Sequence, residues 1–214
     1  MKLSLFLFLC FYTLLFKAQV SELDDSFTFE LGLPNATSNK AYRSIMQGLV
    51  CLSPSYQYSL KNGISFGLGL HYSYFAINEF RVQPKIFGGI HTAAAFIKIG
   101  HEKFWTKSFG TEITCKIGYL KSYSASDLIT NYNQTEASYI EPSIAFIAAS
   151  SVNSSYRFVI GFPLYGYKFT PRTIGILDSS MGYSSADFSK ISSALTISFG
   201  YSFYFNGKKN TDED

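Results

Sequence analysis

His71-Tyr72-Ser73, followed by Glu79, brings together the residue types of a serine hydrolase. A histidine can take a serine's proton, and a carboxylate can orient the histidine. Little else in the chain suggests chemistry. His71, His91 and His101 have no Cys or carboxylate neighbours at ligand spacing, so neither a metal site nor a cofactor is expected. Gly67, Gly69, Gly88 and Gly89 are not followed by a helical pattern, so they do not form a phosphate-binding loop. They read as space-makers in a crowded interior and as points of strand bending.

What could position such residues is set first by composition. The chain has 214 residues, a prior for one or two domains. Hydrophobic residues make up 47%, aromatics 18% and charged residues 15%, against about 25% charged in an ordinary soluble domain. Phe (21) and Tyr (16) far outnumber Trp (1). This excludes a disordered chain. The formal charge of +3 falls to +1 without Lys2 and Lys17, which is no electrostatic footprint for nucleic acid.

Residues 1–18 form the three-part pattern of a secretory signal peptide. A basic start is followed by an apolar run over residues 3–16 and by Lys17-Ala18-Gln19, with cleavage expected after Ala18. The run is shorter than the about 20 residues a helical span needs; an uncleaved anchor is the alternative. Cys10 leaves with this segment, so Cys51 and Cys115 remain. Strand parity sets them on opposite faces of non-adjacent strands, against a disulfide.

The mature chain alternates with period two, the mark of strands. Phe27, Phe29, Leu31 and Leu33 oppose Thr28, Glu30 and Gly32. Val50, Leu52, Pro54, Tyr56, Tyr58 and Leu60 oppose Leu49, Cys51, Ser53, Ser55, Gln57 and Ser59. After Asn62-Gly63, a strong hairpin signal, the pattern resumes over 64–74. Further strands are expected at about 92–103, 109–119, 140–148, 156–164 and 195–205. The connections 34–45, 76–88, 121–138 and 170–192 are long and polar, and they alternate with short links at 61–63, 104–108 and 150–155. Eight strands with alternating long and short connections predict an all-β, antiparallel, up-and-down transmembrane β-barrel, with four long extracellular loops and three short periplasmic turns. The expected organisation is a signal peptide (1–18), a short periplasmic N-terminal segment (19–25), the barrel (26–205) and a charged periplasmic tail (206–214).

Volume decides which face is outside. An eight-stranded barrel has an interior just wide enough for side chains to fill it. The Phe/Tyr/Leu/Ile face would overfill that space, whereas the Gly/Ser/Thr face fits it. A soluble barrel would also need about 25–35% charge outside. The apolar face is therefore expected to meet lipid, with a soluble lipocalin-like carrier as the inverted alternative. Tyr56, Tyr58, Trp105, Tyr156, Tyr201, Phe203 and Phe205 fall at one set of strand ends, and Tyr72, Tyr74 and Tyr119 at the other. These are the expected aromatic girdles at the two membrane–water interfaces.

On these features the chain resembles the small outer-membrane β-barrel proteins of Gram-negative bacteria, similar to the membrane domain of OmpA and to porin-like eight-stranded barrels. The resemblance spans the mature chain from about Ser26 to Phe205. Residues 195–205 look like the family's C-terminal assembly signal, although nine residues follow Phe205. It implies residence in the cell outer membrane as a monomer, contact with outer-membrane lipid and lipopolysaccharide, and transient handling by the barrel assembly machinery and periplasmic chaperones.

Glu30, Lys98, Glu102, Glu112, Lys116, Glu141 and Arg157 all take the inward parity. Four acids and three bases nearly balance, as a closed interior requires. Lys98 and Glu112 are expected opposite or diagonal across a hairpin. The network reads as a plug that fixes register, with an ion path as the alternative. His71-Tyr72-Ser73 resembles the His-x-Ser element of outer-membrane lipid A deacylases, which would make His71, Ser73 and Glu79 catalytic. Inward parity favours instead a polar filling of the upper lumen. The expected function is non-enzymatic: an envelope-structural or surface-interaction role through the loops. A lipid A-modifying enzyme and a small-solute pore or secretion-associated barrel are the alternatives.

Overall fold

The computed structural model describes residues 25–82, 85–176 and 182–205; the expected signal peptide, nearly all of segment 19–25 and the tail 206–214 lie outside them. The elements run β1 (Ser26–Ala36), α1 (Lys40–Ile45), β2 (Met46–Ser59), β3 (Ile64–Ile77), β4 (Gly88–Phe104), β5 (Phe109–Ser126), β6 (Asn133–Ser151), β7 (Ser154–Gly161) and β8 (Leu164–Tyr165). Two 3-10 turns, η1 (Pro171–Ile174) and η2 (Ser185–Phe188), precede β9 (Ser192–Tyr204).

Every pairing is antiparallel, and β9 pairs with β1 to close the ring. β7 and β8 occupy one position between β6 and β9. Ser143 faces Gly161 and Ile140 faces Leu164 in the same register, so this is a single strand interrupted at Pro163. Proline has no N–H to give the ladder. The ring therefore has eight strand positions, the architecture expected from the alternation.

The β2–β3 turn follows from Asn62-Gly63. The Gly63 amide bonds to the Leu60 carbonyl at 2.9 Å, and Gly63 takes φ +86°. A positive φ at the last turn residue is the bulged three-residue hairpin form, cheap only for glycine. Gly69 serves space instead: a Cβ there would stand 2.6 Å from the Phe96 ring and 2.6 Å from the Pro54 carbonyl oxygen. We expect Gly69→Val to destabilise the barrel by about 1–3 kcal/mol through overpacking, read from denaturant unfolding.

Two expectations need correction. Leu49 was expected inward, yet it is 45% exposed. A bulge between Gly48 and Val50 inserts one residue against β3 and breaks the alternation there. The expected loop 121–138 is also mostly sheet: Lys121 faces Glu136 and Tyr123 faces Gln134, leaving only 127–132 as a connection.

That extension changes the polarity of the barrel with height. A membrane-spanning strand takes about 9–11 residues, whereas β4, β5 and β6 have 17, 18 and 19. Low on the barrel the outside is apolar and the inside polar: Leu68, Ile97, Ile117 and Phe199 are exposed, and Ser55, Ser65 and Ser202 are buried. High on β5 and β6 the order reverses. Leu120 and Tyr139 are fully buried, while Lys121 and Glu136 face out beside each other. The upper barrel is thus built like a soluble protein, with an apolar interior and a polar exterior.

Candidate functional site: the lumen and its loop-end cap

The lower lumen is filled by inward residues from seven strands, β1, β2, β4, β5, β6, β7 and β9. Lys116 Nζ lies 2.9 Å from Glu30 and 3.3 Å from Glu141, and donates to Ser53 Oγ at 3.2 Å. Lys98 Nζ pairs with Glu112 at 2.8 Å and donates to Gln57 at 2.6 Å. Gln57 in turn donates to Glu102 at 3.1 Å. Arg157 lies against both Glu102 (3.7 Å) and Glu112, and Tyr204 donates to Glu102 at 3.1 Å. All seven charged groups are buried.

The register behind these pairs differs from the expected one. Lys98 faces Lys116 directly and Glu102 faces Glu112, so like charges stand opposite on β4 and β5. Directly opposed like charges repel. Here each side chain leans along or across the lumen to an opposite charge, Lys98 reaching Glu112 four residues from its facing position. The lumen is narrow enough for long side chains to choose partners by length rather than register. Glu30 and Arg157 reach the same cluster from β1 and β7, so the network ties the barrel across its diameter.

His71 and Ser73 sit above this cluster, both buried and inward. The carboxylate near His71 is Glu141, with 4.0 Å between Nδ1 and Oε2. Tyr139 lies over the imidazole at 5.0 Å and donates to Glu141. Ser73 Oγ lies 3.4 Å from the Tyr165 hydroxyl. Glu79 is elsewhere: it stands beyond the end of β3 and pairs with Lys85 at 3.7 Å. The alternative catalytic set of His71, Ser73 and Glu79 is not assembled, because Glu79 lies past the end of β3 and pairs with Lys85 instead. Cys51 and Cys115 are both free, Cys51 inward beside Ser198.

Above His71 the lumen is closed by an apolar cap that the sequence pattern did not reveal. Asn39 N-caps α1 by accepting from the Tyr42 amide at 3.1 Å, and its side-chain amide donates to the carbonyls of Phe169 (2.9 Å) and Lys190 (3.1 Å). The first and last long connections are thereby joined. Tyr42, fully buried, packs against Phe75 at 5.1 Å and Phe169 at 5.3 Å. Ile45, Ile90, Leu120, Tyr165 and Ile174 belong to the same cluster. On the surface Lys40 pairs with Asp187 at 3.0 Å. The Ser184 amide and Lys40 hold the Asp187 carboxyl below its ordinary pKa.

The girdle residues at the short-turn end, Tyr56, Tyr58, Trp105, Tyr156, Tyr201, Phe203 and Phe205, are all exposed. Trp105 donates to Thr111 at 2.9 Å, and Lys103 lies over its ring at 3.9 Å. At the other rim Tyr119 is exposed, while Tyr72 and Tyr74 are partly covered beside His91.

No family model matches the sequence, and no curated protein matches it. Solved structures do match in fold. Neisserial surface protein A (NspA) superposes with a TM-score of 0.54 at 12% identity, over 85% of this chain and 97% of that one. Ail, the attachment invasion locus protein of Yersinia pestis, gives 0.49 at 8% identity, over 86% and 99%. OprG of Pseudomonas aeruginosa gives 0.48 at 9%, over 88% and 100%. With its ring of eight strands, apolar exterior and charged lumen, the chain has the fold of the small outer-membrane β-barrels.

Proposed function

We propose that this chain is a non-enzymatic integral outer-membrane protein. Its barrel serves as a sealed anchor for a folded cap that acts at the cell surface. Residues 1–18 direct export, β9 carries the assembly signal read by the barrel assembly machinery, and the long connections face outward from the cell as a monomer's surface. The observation that carries this reading is the double closure of the lumen. A pore needs a continuous polar path; here a buried ion-pair network lies beneath a packed, largely apolar cap, and both would have to open. Loops on rigid scaffolds commonly carry recognition, and the Asn39 hydrogen bonds and Tyr42 packing give these loops a defined shape.

Fractionation with gel mobility before and after boiling tests the location. Outer-membrane protein that runs fast unboiled and slows on heating is the expected result; soluble protein with no heat shift would overturn it. In planar bilayers we expect no conductance steps from wild type. Steps that vanish on Tyr42→Trp would instead assign a gated pore. Unchanged lipid A in cells carrying Ser73→Ala, relative to wild type, is expected and separates this reading from a deacylase.

A further inference from the structure

We propose that the open edge of β6 at residues 133–138 binds an extended peptide segment of another protein by strand addition, with a basic residue of that segment set against Glu136. The proposal rests on the outer-membrane reading above and names the partner class for the loop end of the barrel. On one side β6 pairs with β5 without a break, from Asn133 facing Ser124 to Ala148 facing Phe109. On the other side its cover stops early. Tyr165 of β8 faces Tyr139, and the Gly166 amide donates to the Ser138 carbonyl at 2.9 Å. The chain then turns away: the Ser192 amide donates to the Tyr167 carbonyl at 2.8 Å, and Tyr167 and Phe169 are buried in the cap. Among the described residues, no strand lies beside 133–137 on that side.

Backbone geometry selects the occupant. In an antiparallel ladder alternate residues turn both N–H and C=O to the same side. The Ser138 and Pro142 carbonyls point toward β8 and β7, accepting from Gly166 and Phe162. Gln134 and Glu136 share that parity, and both are exposed. Their N–H and C=O groups are ladder positions that another extended backbone can fill. Residues 133–138 carry no proline, lysine or bulge, the usual devices that block such pairing. Charge sets the side-chain preference. A carboxylate has about four acceptor sites, and at Glu136 Tyr119, Lys121 and Gln134 take three. A cation on the incoming strand takes the remaining one and continues the row begun by Lys121 and Glu136 with alternating sign. A second copy does not fit. Strands tilt by about 35–45° in such barrels, so the β6 strands of two upright neighbours cross at about 70–90° instead of aligning. The edge is also within reach from outside: Ser138 stands 13 residues above Ser151, the short-turn end of β6, and a span takes about 9–11.

The test uses the full mature chain in nanodiscs and a short blocked peptide that alternates valine and threonine, with lysine in place of its central threonine. Binding is read by fluorescence anisotropy. Wild type is expected to bind this peptide, and N-methylation of alternate peptide amides should weaken binding about tenfold. Gln134→Pro removes an outward N–H while leaving the β5 ladder intact, and should also weaken binding about tenfold. Glu136→Gln, or glutamate in place of the peptide's lysine, should weaken it about fivefold. Heat-shifted gel mobility confirms that each variant is a closed barrel. No binding by wild type, equal binding of the N-methylated peptide or undiminished binding by Gln134→Pro would overturn the edge site. Paired barrels in native mass spectrometry that Gln134→Pro separates would give the edge to a second copy and overturn the peptide partner. Peptide that reaches the protein only in permeabilised cells would instead overturn the outward-facing reading beneath the proposal.

Discussion

Replacing Arg157 with methionine should destabilise the barrel by about 3–5 kcal/mol, the usual cost of removing one partner from a buried charge cluster. Arg157 is 2% exposed and lies against both Glu102 and Glu112. Methionine keeps most of the volume, so the loss falls on charge rather than packing. Glu112 retains Lys98, and Glu102 retains the donors Gln57 and Tyr204, but two facing carboxylates on β4 and β5 lose the cation between them. A triple variant that also carries Glu102→Gln and Glu112→Gln should recover most of the stability, since neutralising a whole buried cluster is often tolerated. Denaturant unfolding in lipid vesicles, scored by heat-dependent gel mobility, measures both. A loss below about 1 kcal/mol for Arg157→Met, a value ordinary for surface ion pairs, would show that the lumen is wet enough to screen the charges.

Leu68→Arg tests the opposite face and is expected to cost about 2–4 kcal/mol in a bilayer. Leu68 is the fifth residue of β3 and 65% exposed. Halfway along a span of about 9–11 residues it meets the bilayer midplane. Its neighbours across the ladder, Tyr56 and Ile97, are outward and exposed as well, so the guanidinium finds no partner there. Unfolding free energies measured in vesicles should show the full effect. A change within about 0.5 kcal/mol, normal for a residue facing water, would mean that this belt does not contact hydrocarbon.

The two substitutions probe opposite sides of one division of space. In the lower barrel seven charged side chains fill the lumen beneath an apolar exterior, while the upper barrel keeps an ordinary apolar core. This explains how a barrel of eight strands can hold seven buried charges and still carry a cap containing Tyr42, Phe75, Phe169 and Ile174. The ion-pair network fixes the lower strands relative to one another; the cap fixes the connections. His71 sits at the seam between them, with Glu141 below it and Tyr139 beside it.

The strand alternation, the ring of eight positions, the outward apolar face and the inward parity of Glu30, Lys98, Glu102, Glu112, Lys116, Glu141 and Arg157 were determined by sequence alone. Each depends on a local rule: a strand's side chains alternate, and lipid and a narrow lumen impose opposite preferences on the two sides. Tertiary structure alone decided which charge meets which, because long side chains in a closed lumen reach beyond their facing residue. It alone exposed Leu49, where a single-residue bulge interrupts the alternation. It alone separated Glu79 from His71 and supplied Glu141 from β6. It also showed residues 121–126 and 133–138 as paired sheet: there the outside becomes polar, and a strand with a polar outer face reads in sequence like a loop. The cap depended most on three dimensions, since Tyr42 and Phe169 are 127 residues apart and become a core only when closure of β1 on β9 brings the first and last long connections together.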